Sequence, residues 1–429
     1  MVCFNLEKFF LTHGKERTYW IAYSGGLDSH VLLHTSAKLR ETFLLNIKAI
    51  HINHQLSPNA NQWMAHCAEI CRDLKIELIQ KTIHIQSVSG DSPEEIARAL
   101  RYNVFSELLL QDDFLLTAHQ KDDQAETVLL QLLRGAGPKG LAAMPHIKPF
   151  FKGFHARPFL SIAREDLKNY ADQHQLHWIE DESNANTDFT RNFLRHDVLP
   201  LLKKRWPTVT KTLSRVADNC SEAQKIIETI AEKELAEIKD NNTLSIKKLL
   251  QLDDARQRQV LRMWLMQLNF PLPSAIKLRQ IQRDFLQARI DKLPSIRWKN
   301  VELRRYRDTL YAFPLLKKHD PTQIFQWNFT QPLMIPNIGL LEAAFEKTKG
   351  LSPDLKNITV RFRQGSERCR LPNRDCHHDL KKLFQEWNVP PWERDRVPLI
   401  YTDNQLIAAV GFFIDENFIV ENGYFLKLS

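Results

Sequence analysis

The sequence predicts an α/β fold that begins with a Rossmann-like parallel sheet and continues with a helical domain and a small α+β C-terminal domain. Three observations lead to this prediction. Strand and helix signals alternate over roughly the first 120 residues, residues 209–268 are almost purely helical, and strand signals return after about residue 320. Strand–helix alternation implies a parallel sheet covered by helices on both faces. Ligands of such sheets bind beyond the carboxyl ends of the strands.

The first domain is predicted to contain four strand–helix pairs. Short apolar runs indicate the strands, and apolar residues at helical spacing indicate the helices. The strands are expected at 19–23, 46–53, 76–85 and 114–118, and the helices at 29–39, 61–74, 94–110 and 122–134. A proline- and aromatic-rich stretch at 145–158 interrupts the pattern and leads into a helix at 162–174 and a polar turn at 181–188.

Two smaller domains are predicted in the remaining chain, because 429 residues are too many for one ordinary core. In the last domain, strands at 358–362 and 405–413 are expected around a helix at 379–387. The predicted domain boundaries are 1–215, 216–319 and 320–429.

The composition is that of a soluble globular protein, with 43% apolar and 26% charged residues. Glu7 and Lys8 interrupt the first apolar stretch, so no signal peptide is expected. No apolar run reaches the roughly 18 residues that a membrane span needs. We therefore expect a cytoplasmic protein with no membrane association. The net charge of +8 hints at an acidic partner without identifying one.

The cysteines predict neither a metal site nor disulfides. They lie at positions 3, 67, 71, 220, 369 and 376, without a Cys-x-x-Cys pair. A metal or iron–sulfur site needs tighter clustering, and disulfides are rare in the expected compartment. Cys67 and Cys71 are one helical turn apart, which favours the buried face of a helix.

The sharpest motif reads Ser-Gly-Gly-Leu-Asp-Ser and joins the first strand to its helix. Its glycines allow a tight turn that points N–H groups at an anion, and the helix N-terminus favours negative charge. An ordinary glycine turn is the alternative, but the full string in this setting favours a pyrophosphate site. The aspartate would repel that anion unless magnesium or a substrate ammonium lies beside it. The residues are Ser24, Gly25, Gly26, Leu27, Asp28 and Ser29.

A second motif, residues 118–127, lies where the fourth strand ends and a helix begins. Acids in a first helical turn are also what capping and the helix dipole favour, and for Asp122 the two interpretations are even. Capping does not account for His119 at the end of the strand. Helical spacing predicts that Ala125, Val128, Leu129, Leu132 and Leu133 face the core, and that Asp123, Glu126, Thr127 and Arg134 share the other face.

Three further segments carry cations. Arg98 and Arg101 lie on adjacent turns of one helix face, where a solvated pair is the alternative. The glycine-rich loop 133–141 is suited to closing over phosphate or RNA. The stretch 191–215 holds seven Lys or Arg against one acid. A solvated helix face is the alternative, but the lack of acids favours contact with an RNA backbone.

The loop at 24–29 is similar to the signature of the PP-loop ATP pyrophosphatases, which cleave ATP between the α and β phosphates. The absence of a Gly-Lys-Ser/Thr string argues against γ-phosphate transfer. Taken in order, the motifs resemble more narrowly the catalytic domain of the tRNA(Ile)-lysidine synthases. One departure is Gln55, where that family usually has glycine. The motifs that carry the resemblance lie at 24–29, 51–54, 97–102, 118–127, 134–137, 178–184 and 191–195.

The resemblance implies a reaction on the wobble cytidine of an isoleucine tRNA with a CAU anticodon. ATP adenylates O2 of the base, and the ε-amine of free lysine displaces AMP from C2 to form lysidine. Codon reading then changes from AUG to AUA, and charging from methionine to isoleucine. ATP and Mg²⁺ are the implied cofactors. The implied catalytic residues are Asp28, one of Arg98 and Arg101, His119 and Asp123. Those expected at the tRNA are Glu126, Arg134, Arg191, Arg195, Lys203, Lys204 and Arg205.

The C-terminal strings at 380–386 and 390–399 resemble the last domain of the longer lysidine synthases, which grips the acceptor end of the tRNA. A homodimer is possible, and the sequence leaves open the oligomeric state, the rejection of methionine tRNA and the carboxylate that holds metal. Three alternatives are weaker. A tRNA thiolase usually shows paired cysteines, an NAD or GMP synthetase brings an ammonia-supplying partner or domain, and a noncatalytic RNA-binding protein does not need both intact motifs.

Overall fold

The computed structural model describes residues 2–55, 57–84, 93–289, 292–371 and 377–429. Cys376 and Ile85, the last residue of the predicted third strand, lie outside the described residues. The chain forms two compact units, Met1–Ile230 and Ala231–Ser429. In the described part of the chain, no helix is both long enough and apolar enough to span a membrane.

A six-stranded sheet forms the centre of the first unit, in the spatial order β3-β2-β1-β4-β6-β5. Strands β1 to β4 and β6 run parallel, which confirms the predicted parallel sheet, and β5 pairs antiparallel with β6. The hairpin β5–β6 lies in the proline- and aromatic-rich stretch, where no strand was predicted. The strands are β1 (Thr18–Ala22), β2 (Asn46–Asn53), β3 (Glu77–Thr82), β4 (Phe114–Leu116), β5 (Ile147–Phe150) and β6 (Gly153–Ala156).

Helices cover both faces of this sheet, since alternate strand residues enter two different apolar clusters. Tyr19 and Ile21 pack into the cluster that includes the first, second and seventh helices. Trp20 packs into the opposite cluster with Phe105 of the fourth helix and Leu109, the residue after that helix. The helices are α1 (Val2–His13), α2 (Leu27–Phe43), α3 (Ala60–Asp73), α4 (Pro93–Leu108), α5 (Lys121–Leu133), α6 (Pro138–Leu141), α7 (Arg164–Gln173), α8 (Thr190–Phe193), α9 (Leu199–Arg205) and α10 (Val209–Ile238), with a π-helical segment at Leu194–Val198.

The predicted core positions are confirmed in two places and wrong in a third. Cys67 and Cys71 are buried on α3, as expected for small apolar side chains. Ala125 and Val128 are buried on α5. Leu132 and Leu133, in the last turn of α5, are 55% and 73% exposed.

The helical region predicted after residue 216 is present, but it also contains a sheet that the sequence analysis did not predict. Five antiparallel strands in the order β7-β8-β11-β10-β9 pack with three helices around the buried Trp264. The elements are β7 (Lys239–Asp240), β8 (Thr243–Ser245), α11 (Ile246–Leu249), α12 (Asp254–Gln267), α13 (Ala275–Ile281), β9 (Ser295–Trp298), β10 (Val301–Tyr306) and β11 (Thr309–Pro314), with a π-helical segment at Gln282–Leu286.

The last part of the chain is α+β, as predicted. Two five-stranded antiparallel sheets have the orders β12-β16-β19-β20-β21 and β13-β14-β23-β15-β22, and β17 and β18 form a separate pair. The strand predicted at 405–413 is two strands, because the chain turns at Gly411 with a φ of 80°. The elements are β12 (Phe325–Gln326), β13 (Leu333–Ile335), β14 (Gly339–Glu346), β15 (Gly350–Leu351), β16 (Ile358–Arg361), β17 (Arg368–Arg370), β18 (His377–Asp379), α14 (Leu380–Glu386), α15 (Pro391–Arg394), β19 (Leu399–Thr402), β20 (Gln405–Ala409), β21 (Phe413–Ile414), β22 (Ile419–Val420) and β23 (Gly423–Leu428).

Candidate active site

The loop Ser24–Ser29 connects the carboxyl end of β1 to the N-terminus of α2. The Oγ atoms of Ser24 and Ser29 are 3.0 Å apart, and Ser29 Oγ lies 2.9 Å from the carbonyl oxygen of Gly26. Gly26 caps α2 without any side-chain hydrogen bond, and Leu27 is the first residue of the helix. The first N–H groups of α2 therefore stay available to an anion.

Position 25 requires a glycine because of both its backbone conformation and its surroundings. Its φ is 86°, in the left-handed region where a side chain is disfavoured. A Cβ at this position would lie 2.6 Å from Cδ1 of Ile179 and 2.9 Å from Sγ of Cys67. The Ile179 N–H also donates to the Gly25 carbonyl at 2.9 Å. The segment that follows α7 thus holds the loop in its tight turn.

Asp28 lies in the first turn of α2, and its Oδ1 is buried without a hydrogen-bond partner. Burial raises the pKa of Asp28 to about 6, and the charge of Asp123 adds to this effect, while Arg164 and Arg195 oppose it. A buried carboxylate oxygen with no donor is unfavourable unless a cation approaches it. Among the described residues there is no cluster of three metal-ligating side chains. Because Mg²⁺ commonly binds one or two carboxylates together with substrate phosphates, Asp28 fits that ion.

Asp123 is engaged through both of its carboxylate oxygens. Its Oδ2 accepts a hydrogen bond from the Gln120 N–H at 2.9 Å, which closes a capping box at the start of α5. Its Oδ1 accepts from Arg191 at 2.9 Å and from Arg195 at 3.0 Å. The capping role that the sequence left open for Asp122 thus falls on Asp123. Asp122 instead forms an ion pair with Lys203 at 3.1 Å.

Glu126 is fully buried and forms the centre of an ion-pair cluster with two arginines. It accepts hydrogen bonds from Arg191 Nε at 2.7 Å and from Arg195 Nε at 2.6 Å. Burial by itself would lower the pKa of Arg195, but the hydrogen bond to Glu126 and the nearby carboxylates raise it overall. Both arginines were predicted at the tRNA, and the structure places them against α5.

His119 follows β4 and is partly exposed at the end of the strand. Its Nδ1 lies 2.8 Å from Thr117 Oγ1. Burial lowers the pKa of His119 to about 4, an effect that Asp123 opposes and Arg157 reinforces. The imidazole is therefore neutral at physiological pH.

Arg98 and Arg101 lie on α4, on the opposite face of the sheet from α2. Arg101 donates from Nε to His54 Nε2 at 3.0 Å, and burial lowers its pKa. Arg98 is exposed and stacks over the ring of Tyr102 at 5.1 Å. In the described contacts, neither arginine bonds directly to the loop Ser24–Ser29 or to His119.

Gln55 shows why the related family prefers glycine at this position. Its φ is 54°, in the left-handed region, and its N–H donates to Asn53 Oδ1 at 2.8 Å. The side-chain turn of Asn53 keeps the left-handed conformation in a chain that has no glycine there. The departure from the family pattern therefore leaves the turn intact.

The other cations expected at the tRNA remain on the surface. Arg134 follows the last residue of α5 and is exposed, and Lys204 and Arg205 are exposed in the last turn of α9. The sequence analysis missed Thr117, His155, Arg157 and Arg164, and it named Ile179 only as part of the string 178–184. Thr117, His155, Arg157 and Arg164 lie outside the motifs that the sequence analysis singled out.

The fold and the site define a class of ATP-using enzyme. The PP-loop domain family matches residues 3–202, which contain the loop Ser24–Ser29, Asp28 and His119. The TilS substrate binding domain matches residues 244–311, and the TilS substrate C-terminal domain matches residues 358–424.

Relatives of the whole chain specify the family further. The tRNA(Ile)-lysidine synthase of Coxiella burnetii is 46% identical over 96% of this chain and 93% of its own length. The tRNA(Ile)-lysidine synthase of Legionella pneumophila strain Lens is 40% identical over 94% of this chain and 93% of its own length. The chain belongs to the tRNA(Ile)-lysidine synthase family. Among solved structures, the U34-tRNA thiolase NcsA from Methanococcus maripaludis matches 52% of this chain and 78% of its own with 18% identity and a TM-score of 0.44.

Proposed function

We propose that this protein ligates free lysine to C2 of the wobble cytidine in an isoleucine tRNA with a CAU anticodon. The observation that carries the proposal is the loop Ser24–Ser29 with the unpartnered, buried Oδ1 of Asp28 beside it, in a chain 46% identical to the lysidine synthase of Coxiella burnetii. The product changes codon reading from AUG to AUA and charging from methionine to isoleucine.

The proposed reaction has two steps. O2 of the cytidine attacks the α-phosphorus of ATP, and pyrophosphate leaves with the electrons of the broken bond. The lysine ε-nitrogen then attacks C2, AMP leaves with the former O2, and the amine loses a proton. The free N–H groups at the start of α2 suit the pyrophosphate.

Asp28 is the carboxylate best suited to hold a cation. Both oxygens of Asp123 already accept hydrogen bonds from protein groups, while Oδ1 of Asp28 accepts none. We assign Asp28 to the magnesium ion or the lysine ammonium, and Asp123 to capping α5 after His119 and holding the two arginines in place. When bound, magnesium neutralises charge on the phosphate oxygens.

The surface cations support the RNA part of the proposal. Lys204 and Arg205 are exposed beside Trp206, which is 59% exposed. Cations beside an exposed aromatic ring are typical of RNA contacts. We retain as predictions the three domains bounded at 215 and 319, the grip of the last domain on the tRNA acceptor end, and a possible homodimer.

Incorporation of radiolabelled lysine into an isoleucine tRNA with a CAU anticodon tests the proposal. We expect label only with ATP, and a loss of at least about 100-fold for Asp28→Ala because a transition-state contact is removed. The matched control is Asp172→Ala, which removes an exposed carboxylate of α7 and keeps full activity. No label while ATP is still consumed with tRNA would overturn the lysine assignment and point to thiolase-type chemistry.

A further inference from the structure

A chain of three buried side chains lies behind His119. Thr117 Oγ1 is 2.8 Å from His119 Nδ1 and 2.9 Å from Nε2 of His155. Nδ1 of His155 is 3.2 Å from Nη2 of Arg157. Thr117 is 8% exposed, His155 is 0% and Arg157 is 3%. The order of contacts is therefore Arg157, His155, Thr117, His119.

The numbers of donors and acceptors on these side chains allow only one direction of donation along the hydrogen-bond chain. A guanidinium has only donors, so Nδ1 of His155 must accept from Arg157. A neutral imidazole that accepts at one nitrogen carries its proton on the other, so Nε2 of His155 donates to Thr117. Thr117 has one hydroxyl proton, and it is left to donate that proton to Nδ1 of His119. His119 then carries its own proton on Nε2.

The charge of Arg157 and the neutral state of His155 keep these hydrogen bonds in this direction. Within the described ranges, Arg157 bonds to no carboxylate, and its Nη1 donates to the carbonyl of Pro145 at 2.7 Å. An arginine remains charged in proteins. Burial, followed by the charge of Arg157, depresses the pKa of His155 far below its usual range, so His155 stays neutral. In the reverse direction, Nδ1 of His155 would carry a proton, and two donors, this N–H and that of Arg157, would face each other.

We propose that Arg157, His155 and Thr117 are positioning residues that hold His119 as the Nε2–H tautomer, so that it donates a hydrogen bond to a substrate oxygen. This inference rests on the proposed function, since the substrate oxygen is O2 of the cytidine or a phosphate oxygen of ATP. His119 then stabilises negative charge, and the proton of the lysine amine goes to another acceptor.

Protein that carries ¹⁵N-labelled histidine tests the tautomer of His119 directly, without any activity measurement. Two-bond ¹H–¹⁵N correlation spectra at pH 7.5 distinguish a protonated from an unprotonated ring nitrogen, and His119→Gln identifies the His119 signals. We expect a protonated Nε2 and an unprotonated Nδ1. A proton on Nδ1, or on both nitrogens, overturns the proposal even if the enzyme makes lysidine.

Variants of Thr117 test whether the buried chain sets the tautomer. Thr117→Val keeps the shape but removes the hydroxyl, so we expect mixed tautomers of His119 and a fall in kcat of about tenfold. Thr117→Ser should restore both. The matched control Thr35→Val removes another fully buried hydroxyl, on α2, and should leave the His119 signals unchanged. An unaltered tautomer in Thr117→Val overturns the positioning role.

Substitutions of His119 separate a donor from a base. The side-chain amide of glutamine can place an N–H near the position of Nε2 but cannot take up a proton at neutral pH. We expect His119→Gln to retain about tenfold more lysine incorporation than His119→Ala. Equal loss in the two variants, with the wild-type protein active, contradicts the donor role while leaving the proposed function standing.

Discussion

The carboxylate of Asp28 is buried, and its Oδ1 lacks a hydrogen-bond partner. Both features affect the stability of the protein as well as its chemistry. Its Oδ1 has no donor, and burial raises its pKa to about 6 from 3.8. A carboxyl group whose pKa is higher in the folded than in the unfolded state binds its proton more tightly when folded. Its contribution to stability is therefore present below pH 3.8 and lost as the pH rises through 6.

We predict that Asp28→Asn stabilises the protein while abolishing lysine incorporation. A neutral amide removes the cost of the buried charge, which is on the order of 1–3 kcal/mol at pH 8. The gain should shrink toward pH 4, where the wild-type carboxyl is protonated. Urea unfolding of the two proteins across this pH range measures the difference.

The control for this experiment is Asp172→Asn, which changes an exposed carboxyl group and should show no such trend. A gain in Asp28→Asn that does not depend on pH would exclude the buried charge as its cause.

Ion pairs link helix α5 to the segment 190–198. Glu126 is fully buried, and Arg191 and Arg195 both bond to it and to Asp123. The same helix starts at the capping box and follows His119 directly. The ion pairs therefore hold the element that carries the site's acids against the basic segment.

We predict that Glu126→Gln lowers the free energy of unfolding by about 2–4 kcal/mol, because it leaves two arginines facing an uncharged partner. Hydrogen exchange of residues 190–198 should become faster. Chemical denaturation and exchange measurements check the two effects.

Lys203→Met gives the matched comparison. It breaks the more exposed pair with Asp122 and should cost at most about 1 kcal/mol. Similar losses in the two variants would mean that burial of Glu126 does not decide the strength of the cluster.

At the scale of the whole molecule, the net charge and its distribution over the surface determine which cations are available to bind RNA. The chain carries a net charge of +8, and Arg191 and Arg195 are already neutralised by acids of α5. Lys204 and Arg205 remain exposed for an RNA backbone. Sequence alone treated all four cations alike, whereas the structure divides them into two groups.

We predict that Lys204→Gln with Arg205→Gln weakens tRNA binding about tenfold at low salt and reduces its dependence on salt concentration, since fewer counterions are released. Filter binding across salt concentrations measures both. The control is Lys15→Gln with Lys75→Gln, which removes the same charge from exposed positions outside the basic stretch. Equal weakening in both double variants would indicate a nonspecific effect of net charge.

The sequence by itself determined the parallel sheet, the loop Ser24–Ser29 and the motif around His119, because strand–helix alternation and motifs are local properties of the chain. Only the tertiary structure decided the partners of the site residues. Arg191 and Glu126 are 65 residues apart in sequence, and Thr117 and His155 are 38 apart. No local pattern encodes such pairs, since they meet only when separate elements pack on the same sheet. The antiparallel sheet of residues 239–314 was missed for the same reason, since short strands depend on pairing with distant partners more than on their own residues.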